Sequence, residues 1–387
     1  MKEKLLQEVQ AQQAHLYDLS CQILEFCEIG GTEHRSAKLL ADELEANGFT
    51  VERGIGNQET SFRAVWRNGE GGPNIGILGE YDALPNKGHA CGHHFQGTAA
   101  VGAAIAIRKI MDGSDKPFTL TVYGTPAEET YGGKIIMQEA GCFQELDVAL
   151  GTHATRGEAF VGGSSLALTS FAVTYKGISA HASGTPWMGR SAMDAMLLSF
   201  QGLEFLREHV KDGTRMHYSI KEAIGPTNVV PERAVAGFTL RTRSNEDLPQ
   251  LIERFKKVIE GATHMTETTF EMEDRPIYLA RKRNDILTEV AKANFRQLNI
   301  PHRLPLVVDS GGSTDFGNVS GIVPGIMIYL PFVEAPAHSQ VWLDNAKTEA
   351  MRQCLLTSTQ MLVAVTYDLT QNPDTIAEAK QEFDNIK

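Results

Sequence analysis

The chain lacks a long apolar run, a block of basic residues and a dense set of cysteines. Its opening stretch, MKEKLLQEVQAQQAHLYDLSCQILEF, sets Leu5, Leu6, Val9, Leu16, Leu19, Ile23 and Leu24 on one helical face interrupted by charge and glutamine, which is neither a signal peptide nor a membrane span. Lys plus Arg number 36 against 48 Asp plus Glu, a formal net charge of -12 with no basic cluster to attract phosphate backbones or anionic lipid. Neither nucleic acid nor a membrane is an expected partner. The five cysteines (Cys21, Cys27, Cys91, Cys142, Cys354) are an odd, scattered set, unlike a secreted disulfide framework, so a reducing, cytoplasmic setting is expected. Four of them sit in apolar or helical surroundings and read as small buried hydrophobes; Cys91 differs in its neighbours. Repeats and low-complexity tracts are missing too.

At 387 residues with 42% hydrophobic content, the chain exceeds what one core usually supports, and two domains are expected. Strand-like 74–84, helix-like 93–112, strand 118–124, a helix near 131–140 and the strand LDVALGTH alternate, which predicts an α/β fold with a mainly parallel sheet flanked by helices. Between about 167 and 278 the order becomes β, α, β, β, α, β, the pattern of a ferredoxin-like α+β unit inserted into the first domain. In it, 247–263 carries Leu248, Leu251, Ile252, Phe255 and Ile259 on one stripe. The expected division is 1–166, 167–278 and 279–387, with the first and last segments forming one domain. A last helix at 349–367 precedes a polar tail, NPDTIAEAKQEFDNIK, that reads as a solvated end.

The residues that carry chemistry lie far apart in the chain: Cys91 and His93 in HACGHH, Glu128 and Glu129 in PAEET, His153 in GTHA and His338 in PAHS. A thiolate, imidazoles and adjacent carboxylates suit a borderline-soft divalent ion, and two such ions can share a bridging ligand. Ligands in open parallel sheets gather beyond the carboxyl ends of strands, where Asp82, Glu128, Glu129 and His153 all fall. Asp82 is placed to accept a hydrogen bond from a liganding imidazole, whereas Glu80 is read as structural or as a support behind the ligands. Of the adjacent Glu128 and Glu129, one can hold a metal while the other faces water. His89 and His94 are not read as ligands.

The segments GEYDALPNKGHACGHH, PAEETYGGK, GTHA, GISAHASGTPWMGRSAMDA, TNVVPERAVAGFTLRTR and DSGGSTDFGNVSGIVPG, in this order, resemble the metallopeptidase and amidohydrolase family of aminoacylases, carboxypeptidases and auxin-conjugate hydrolases, in its aminobenzoyl-glutamate hydrolase and dipeptidase branch. The resemblance covers nearly the whole chain. It implies that Cys91 bridges two divalent ions, zinc or manganese, with His93, Glu129, His153 and His338 completing their shells. It further implies that Glu128 is the general base and Asp82 orients a ligand. The inserted segment becomes a lid and dimerisation domain, in which His181 reaches the active site of a second copy. Asn228 and Arg241 match positions that bind a substrate carboxylate, and Gly311 and Gly312 a glycine turn lining the pocket. Two departures stand out: His94 where many relatives have Asp or Asn, and Glu80-Tyr81-Asp82 where others read Asp-x-Asp.

The expected activity is hydrolysis of an amide bond in a small carboxylate-bearing substrate, namely an N-acyl amino acid, an aminobenzoyl-glutamate-like compound or a dipeptide. The nucleophile is a metal-bridging hydroxide, and the working form is a homodimer. Two other classes remain at this stage: a cysteine-nucleophile hydrolase using Cys91, and a non-catalytic binding protein on the same scaffold.

Overall fold

A computed structural model describes residues 1–223, 225–304 and 312–386. The chain forms two compact units. One holds Met1–Ser164 with the described residues of Arg281–Asp309 and Thr314–Lys387, and the other holds Ser165–Ala280 with the described residues of Ser310–Ser313.

The first unit begins with α1 (Lys2–Phe26), α2 (His34–Ala46), β1 (Thr50–Arg53), β2 (Phe62–Asn68), β3 (Asn74–Glu80), α3 (His93–Met111), β4 (Phe118–Thr125), α4 (Gly133–Glu139), β5 (Val148–Thr155) and β6 (Phe160–Val161). The second unit contributes β7 (Ala167–Lys176), α5 (Ala192–Arg207), β8 (Arg215–Glu222), β9 (Arg233–Thr242), α6 (Asp247–Thr266) and β10 (Thr269–Asp274). The first unit then resumes with α7 (Asp285–Gln297), α8 (Phe316–Ser320), β11 (Gly325–Pro331), α9 (Gln340–Asp344), α10 (Glu349–Gln371) and α11 (Pro373–Asn385).

The seven-stranded sheet of the first unit runs β1-β2-β4-β3-β5-β11-β6. It is mixed rather than mainly parallel. Only the central β4, β3, β5 and β11 run parallel to one another, while β1 pairs with β2, β2 with β4, and β6 with β11 in antiparallel fashion. The short connection between β1 and β2 leaves no room for a crossover helix, which a parallel pair needs, so this pair folds back antiparallel. The four central strands read as near-continuous apolar runs because helices cover both faces. Among these helices α3 is buried almost all round, its Ala- and Gly-rich surface lying against α1 and α10. A Cβ on Gly97 of α3 would come within 2.6 Å of the Glu80 carbonyl, so glycine lets the helix approach β3 closely enough to bring its first turn to the strand end.

The four-stranded sheet of the second unit has the order β10-β7-β9-β8, all antiparallel, with α5 and α6 packed through Phe171, Tyr175, Phe200, Phe238 and Phe255. The stripe expected on α6 is there: Leu248, Leu251, Phe255 and Ile259 are buried.

Two further sequence expectations fail. The polar tail is not a solvated end but α11, which buries Ile376 and Ala379. Its Glu382 accepts hydrogen bonds from the Asp285 and Ile286 N–H groups, capping α7, and its Ala379 carbonyl receives the Asn284 amide. Lys380 pairs with Asp147 at 2.6 Å and Lys282 sits over the Phe383 ring, so polar contacts add to two buried apolar residues in docking this charged helix. Cys27, read as a buried hydrophobe, is exposed at the left-handed C-cap of α1 with φ 49°.

One buried carboxylate, which the sequence offers no way to find, holds the loop after β4. Ala127 adopts φ 60°, a left-handed conformation strained for a residue with a Cβ. Its N–H donates to Glu33 Oε1 at 2.8 Å, while Glu33 Oε2 accepts from Gly31 N–H at 2.8 Å and from the Thr60 hydroxyl at 3.0 Å. Burial pushes the Glu33 carboxyl up to about 7, against the pull of these donors and with Asp82 adding to the rise.

Replacing Glu33 by Gln turns an amide NH2 toward one of these donors, and urea unfolding should show a loss of roughly 1–3 kcal/mol for each donor left without an acceptor. The folded carboxyl binds its proton more tightly than the unfolded one. In metal-free protein, the stability of wild type relative to Glu33→Gln should therefore fall as pH rises from the normal carboxylate range to about 7 and be level above it.

Candidate metal centre

The parallel strands β4, β3, β5 and β11 end on one rim of the first unit, with polar residues at their ends or in the chain after them; His153, expected beyond its strand, lies within β5. From β3 come Glu80 and, two residues further, Asp82. The intervening Tyr81 is fully buried on the other side of the chain, stacked on Phe62, with its hydroxyl donating to the Thr60 carbonyl at 2.6 Å. Cys91 follows, then Gly92 at φ 90°, a turn that favours glycine, and His93 opens α3.

Asp82 braces two other groups. Its Oδ1 accepts the His93 Nδ1–H at 2.8 Å and its Oδ2 accepts the Glu129 N–H at 2.9 Å. Because this carboxylate only accepts, one proton of His93 is placed on Nδ1, and Nε2 faces the rim. Against its burial, Cys91, Glu80 and Asp82 push the imidazole well above its usual range, so metal binding displaces a second proton from Nε2. His153, in β5, donates Nδ1–H to the Ala154 carbonyl at 2.7 Å and brings Nε2 to 3.5 Å from Cys91 Sγ. His338 stands at φ 64°, its N–H bound to the Ala90 carbonyl at 2.9 Å and its Nε2 3.5 Å from Glu129 Oε1.

The donor atoms fall into sets. Those of Cys91, His93 and His153 lie within 4.8 Å of one another, as do those of Cys91, Glu129 and His338. The two sets share the Cys91 sulfur. Glu128 joins His93 and Glu129 in a third set, and Glu80 and Asp315 in a fourth. His93 Nε2, Glu129 Oε1 and Glu80 Oε2 are buried without a hydrogen-bond partner among the described residues. Polar atoms are rarely buried unpaired, and these three belong to the donor sets, so the residues fit a pair of divalent cations.

The electrostatics agree with that fit. Among the described residues of the rim, Glu80, Asp82, Glu128, Glu129, Asp315 and the Cys91 thiol face one ammonium, that of Lys134, which is fully buried. Burial, together with Glu80, Asp315 and Glu129, pushes the Glu128 carboxyl well above the usual range. Burial likewise pushes the Cys91 thiol up, only partly offset by His93. In Glu80 the same burial is outweighed by the Lys134 ammonium and by His93, which hold its carboxyl low. Burial lowers His153 to about 4, so its imidazole is neutral and able to ligate at physiological pH. Such a site exchanges protons for cations when metal is available.

Lys134 and Asp315 escaped the sequence reading. Lys134 Nζ donates to Glu80 Oε1 at 2.6 Å and to Asp315 Oδ1 at 2.7 Å. The signal for Lys134 was a lone lysine at the head of the apolar run KIIM, which must find buried anions if it points inward. His89 and His94, not expected as ligands, donate Nε2–H to the carbonyls of Ile23 and Ala346, each at 3.2 Å, and tie the loop to α1 and to the segment after α9.

The remaining expected residues lie in the second unit. His181 and Asn228 are neighbours: His181 bridges Val229, and the Ala182 N–H donates to the Asn228 carbonyl at 2.9 Å. Both side chains are exposed. Arg241, on β9, donates to the Ser313 hydroxyl at 3.1 Å, next to Gly312, whose carbonyl accepts the Leu166 N–H at 3.2 Å. Gly311 lies outside the described residues.

The profile of "Peptidase family M20/M25/M40" matches residues 76–363. A component chain of the p-aminobenzoyl-glutamate hydrolase of Escherichia coli (strain K12) is 30% identical, with 98% of this chain and 94% of that protein aligned. The Xaa-Arg dipeptidase of Mus musculus is 30% identical over 99% of this chain and 92% of its own. Among solved structures, a dinuclear metal-binding peptidase from the M20 family of Bacillus subtilis superposes with a TM-score of 0.71 at 19% identity, covering 94% of this chain and 99% of that one. An aminobenzoyl-glutamate utilization protein from Klebsiella pneumoniae does so with a TM-score of 0.75 at 19% identity, covering 94% and 98%. A profile running from β3 into α10 and two relatives aligned over almost their full length establish that this chain belongs to the peptidase family M20/M25/M40, and with it to the hydrolases of C–N amide bonds.

Proposed function

We propose that the protein hydrolyses the amide bond of a small substrate ending in a free carboxylate, with two divalent ions held at the rim of the first unit. The observation that carries this reading is the sharing of Cys91 Sγ between two three-donor sets, one completed by His93 and His153 and the other by Glu129 and His338. When bound, the ions supply positive charge that lowers the pKa of water and polarises a carbonyl oxygen. Zinc and manganese both suit the donors, and the thiolate favours zinc.

The chain's own residues do the rest. Glu128, whose carboxyl is pushed up by burial and by its acidic neighbours, takes a proton from the attacking water and returns it to the departing amine. Asp82 holds the His93 ring and the Glu129 backbone in register, so that neither donor needs to reorganise during the reaction. Arg241 and Asn228, with Gly312 beside the guanidinium, bind the substrate carboxylate, and His181 stabilises the oxyanion. The substrate class follows the names of the two relatives: an aminobenzoyl-glutamate-like amide or a dipeptide, with an N-acyl amino acid as the third member.

The second unit serves as lid and dimerisation domain. Leu197 and Phe205 of α5 and Tyr218 and Ile220 of β8 are exposed, and β8 is an edge strand with an unpaired side, which supports a homodimer formed through this unit. A cytoplasmic location accords with five cysteines that are all free, and no described helix is long and apolar enough to cross a membrane. The cysteine-nucleophile alternative is disfavoured because burial raises the Cys91 thiol, the reverse of what activates a nucleophile.

Glu128→Gln should retain its metal while turnover on aminobenzoyl-glutamate or a dipeptide falls by roughly two to four orders of magnitude. A near-normal rate would remove Glu128 as the base. Cys91→Ala should lower metal content as read by elemental analysis, and chelated wild type should regain activity on adding zinc or manganese. If His181 acts across a dimer, mixing His181→Ala with Glu128→Gln protomers should restore part of the activity lost in each, and absence of rescue argues against sharing.

A further inference from the structure

Glu80 closes β3, and its two carboxylate oxygens have different surroundings. Oε1 accepts the Lys134 ammonium at 2.6 Å. Lys134 is itself gripped by Asp315, whose Oδ1 accepts Nζ–H at 2.7 Å and whose Oδ2 accepts the Lys134 backbone N–H at 3.0 Å. All three side chains are buried. This chain of contacts sets the rotation of the Glu80 carboxylate and aims the other oxygen at the rim.

Oε2 has no hydrogen-bond partner among the described residues and stands 3.3 Å from His93 Nε2, which has none either. With His93 Nδ1–H donating to Asp82, Nε2 and Oε2 face each other directly, and without metal a proton on Nε2 pairs the ring with Glu80. Once that proton leaves, two lone pairs meet at this range in a buried place, and a cation between them restores the positive charge. Metal–nitrogen and metal–oxygen bonds of about 2.0–2.2 Å at a tetrahedral angle put two ligands of one ion about 3.4 Å apart, close to the observed spacing.

Building on the dinuclear reading above, we infer that Glu80 is a further ligand of the metal centre, giving Oε2 to the ion that His93 holds while Lys134 and Asp315 anchor Oε1. The lysine thus has a positioning role: it fixes which oxygen faces the ion and keeps the carboxylate from turning away.

The test compares wild type with Glu80→Gln, Lys134→Met and Cys91→Ala. It reads zinc stoichiometry, zinc affinity by chelator competition, and the visible spectrum of the cobalt(II)-loaded proteins. Glu80→Gln should bind one of its two ions at least about tenfold more weakly, the lower end of what loss of a metal-site group costs, and its cobalt spectrum should shift. Lys134→Met, which breaks the ion pair but leaves Oε2, should be less heat-stable and keep two ions, with a loss of affinity and a cobalt shift smaller than those of Glu80→Gln. If Glu80→Gln does not fold, the double variant Glu80→Gln with Lys134→Met, which removes the buried pair together, takes its place with the same expectation. Two ions bound to Glu80→Gln with unchanged affinity and spectrum, or equal loss of affinity in Glu80→Gln and Lys134→Met, would overturn the inference and leave the dinuclear site intact. If wild type takes up no ion, or if Cys91→Ala binds like wild type, the dinuclear reading itself falls.

Discussion

Burying carboxylates together is costly, because desolvation and mutual repulsion both disfavour the charged forms, and this chain gathers five of them with a thiol at the ends of parallel strands. One lysine answers them. The excess is resolved in the side chains by raised proton affinity at Glu128 and Cys91, and it explains why the surrounding scaffold is so closely fastened. Groups that repel each other stay together only if the backbone over-determines their positions. Here Asp82 ties His93 to Glu129, Glu33 ties Ala127 to Gly31 and Thr60, and Asp315 ties down Lys134.

The strained positions belong to the same account. Ala127 and His338 both take positive φ without being glycine, and both flank the donors. Ala127 precedes Glu128 and Glu129, and its conformation turns the chain sharply after β4. His338 carries its own ring to the rim. Each is held by a backbone hydrogen bond from its N–H, one to a buried carboxylate and one to the Ala90 carbonyl beside Cys91. Local strain of this kind persists where tertiary contacts enforce it, and the contacts here come from residues far away in sequence.

That distance also separates what was legible in the sequence from what was not. The central strands, the long helices and the metal-binding motifs are local signals: an apolar run, a period of 3.6, a CGH, an adjacent pair of glutamates. The antiparallel β1 and β2 were missed because β1 is a four-residue edge strand without an apolar pattern, and β2, FRAVWRN, interleaves its apolar residues with two arginines. The tail was misread because only Ile376 and Ala379 of α11 mark a buried side, too few to raise a stripe above its charges. Glu33 and Asp315 were invisible because a single acidic residue in a polar stretch looks the same whether it faces water or a backbone N–H. Their meaning exists only in three dimensions.

The Glu80-Tyr81-Asp82 triplet joins these arguments. Side chains alternate along an extended chain, so Glu80 and Asp82 share a side while Tyr81 turns into the core and anchors the segment through Phe62 and Thr60. The two carboxylates then meet the two nitrogens of one imidazole, Asp82 at Nδ1 and Glu80 at Nε2. A histidine at the first turn of α3 reaches that position because Gly97 lets the helix lie on the Glu80 carbonyl. Strand alternation, one tyrosine anchor and one glycine contact therefore convert a three-residue motif into a histidine held from both sides, with one carboxylate accepting its Nδ1–H and the other facing its Nε2.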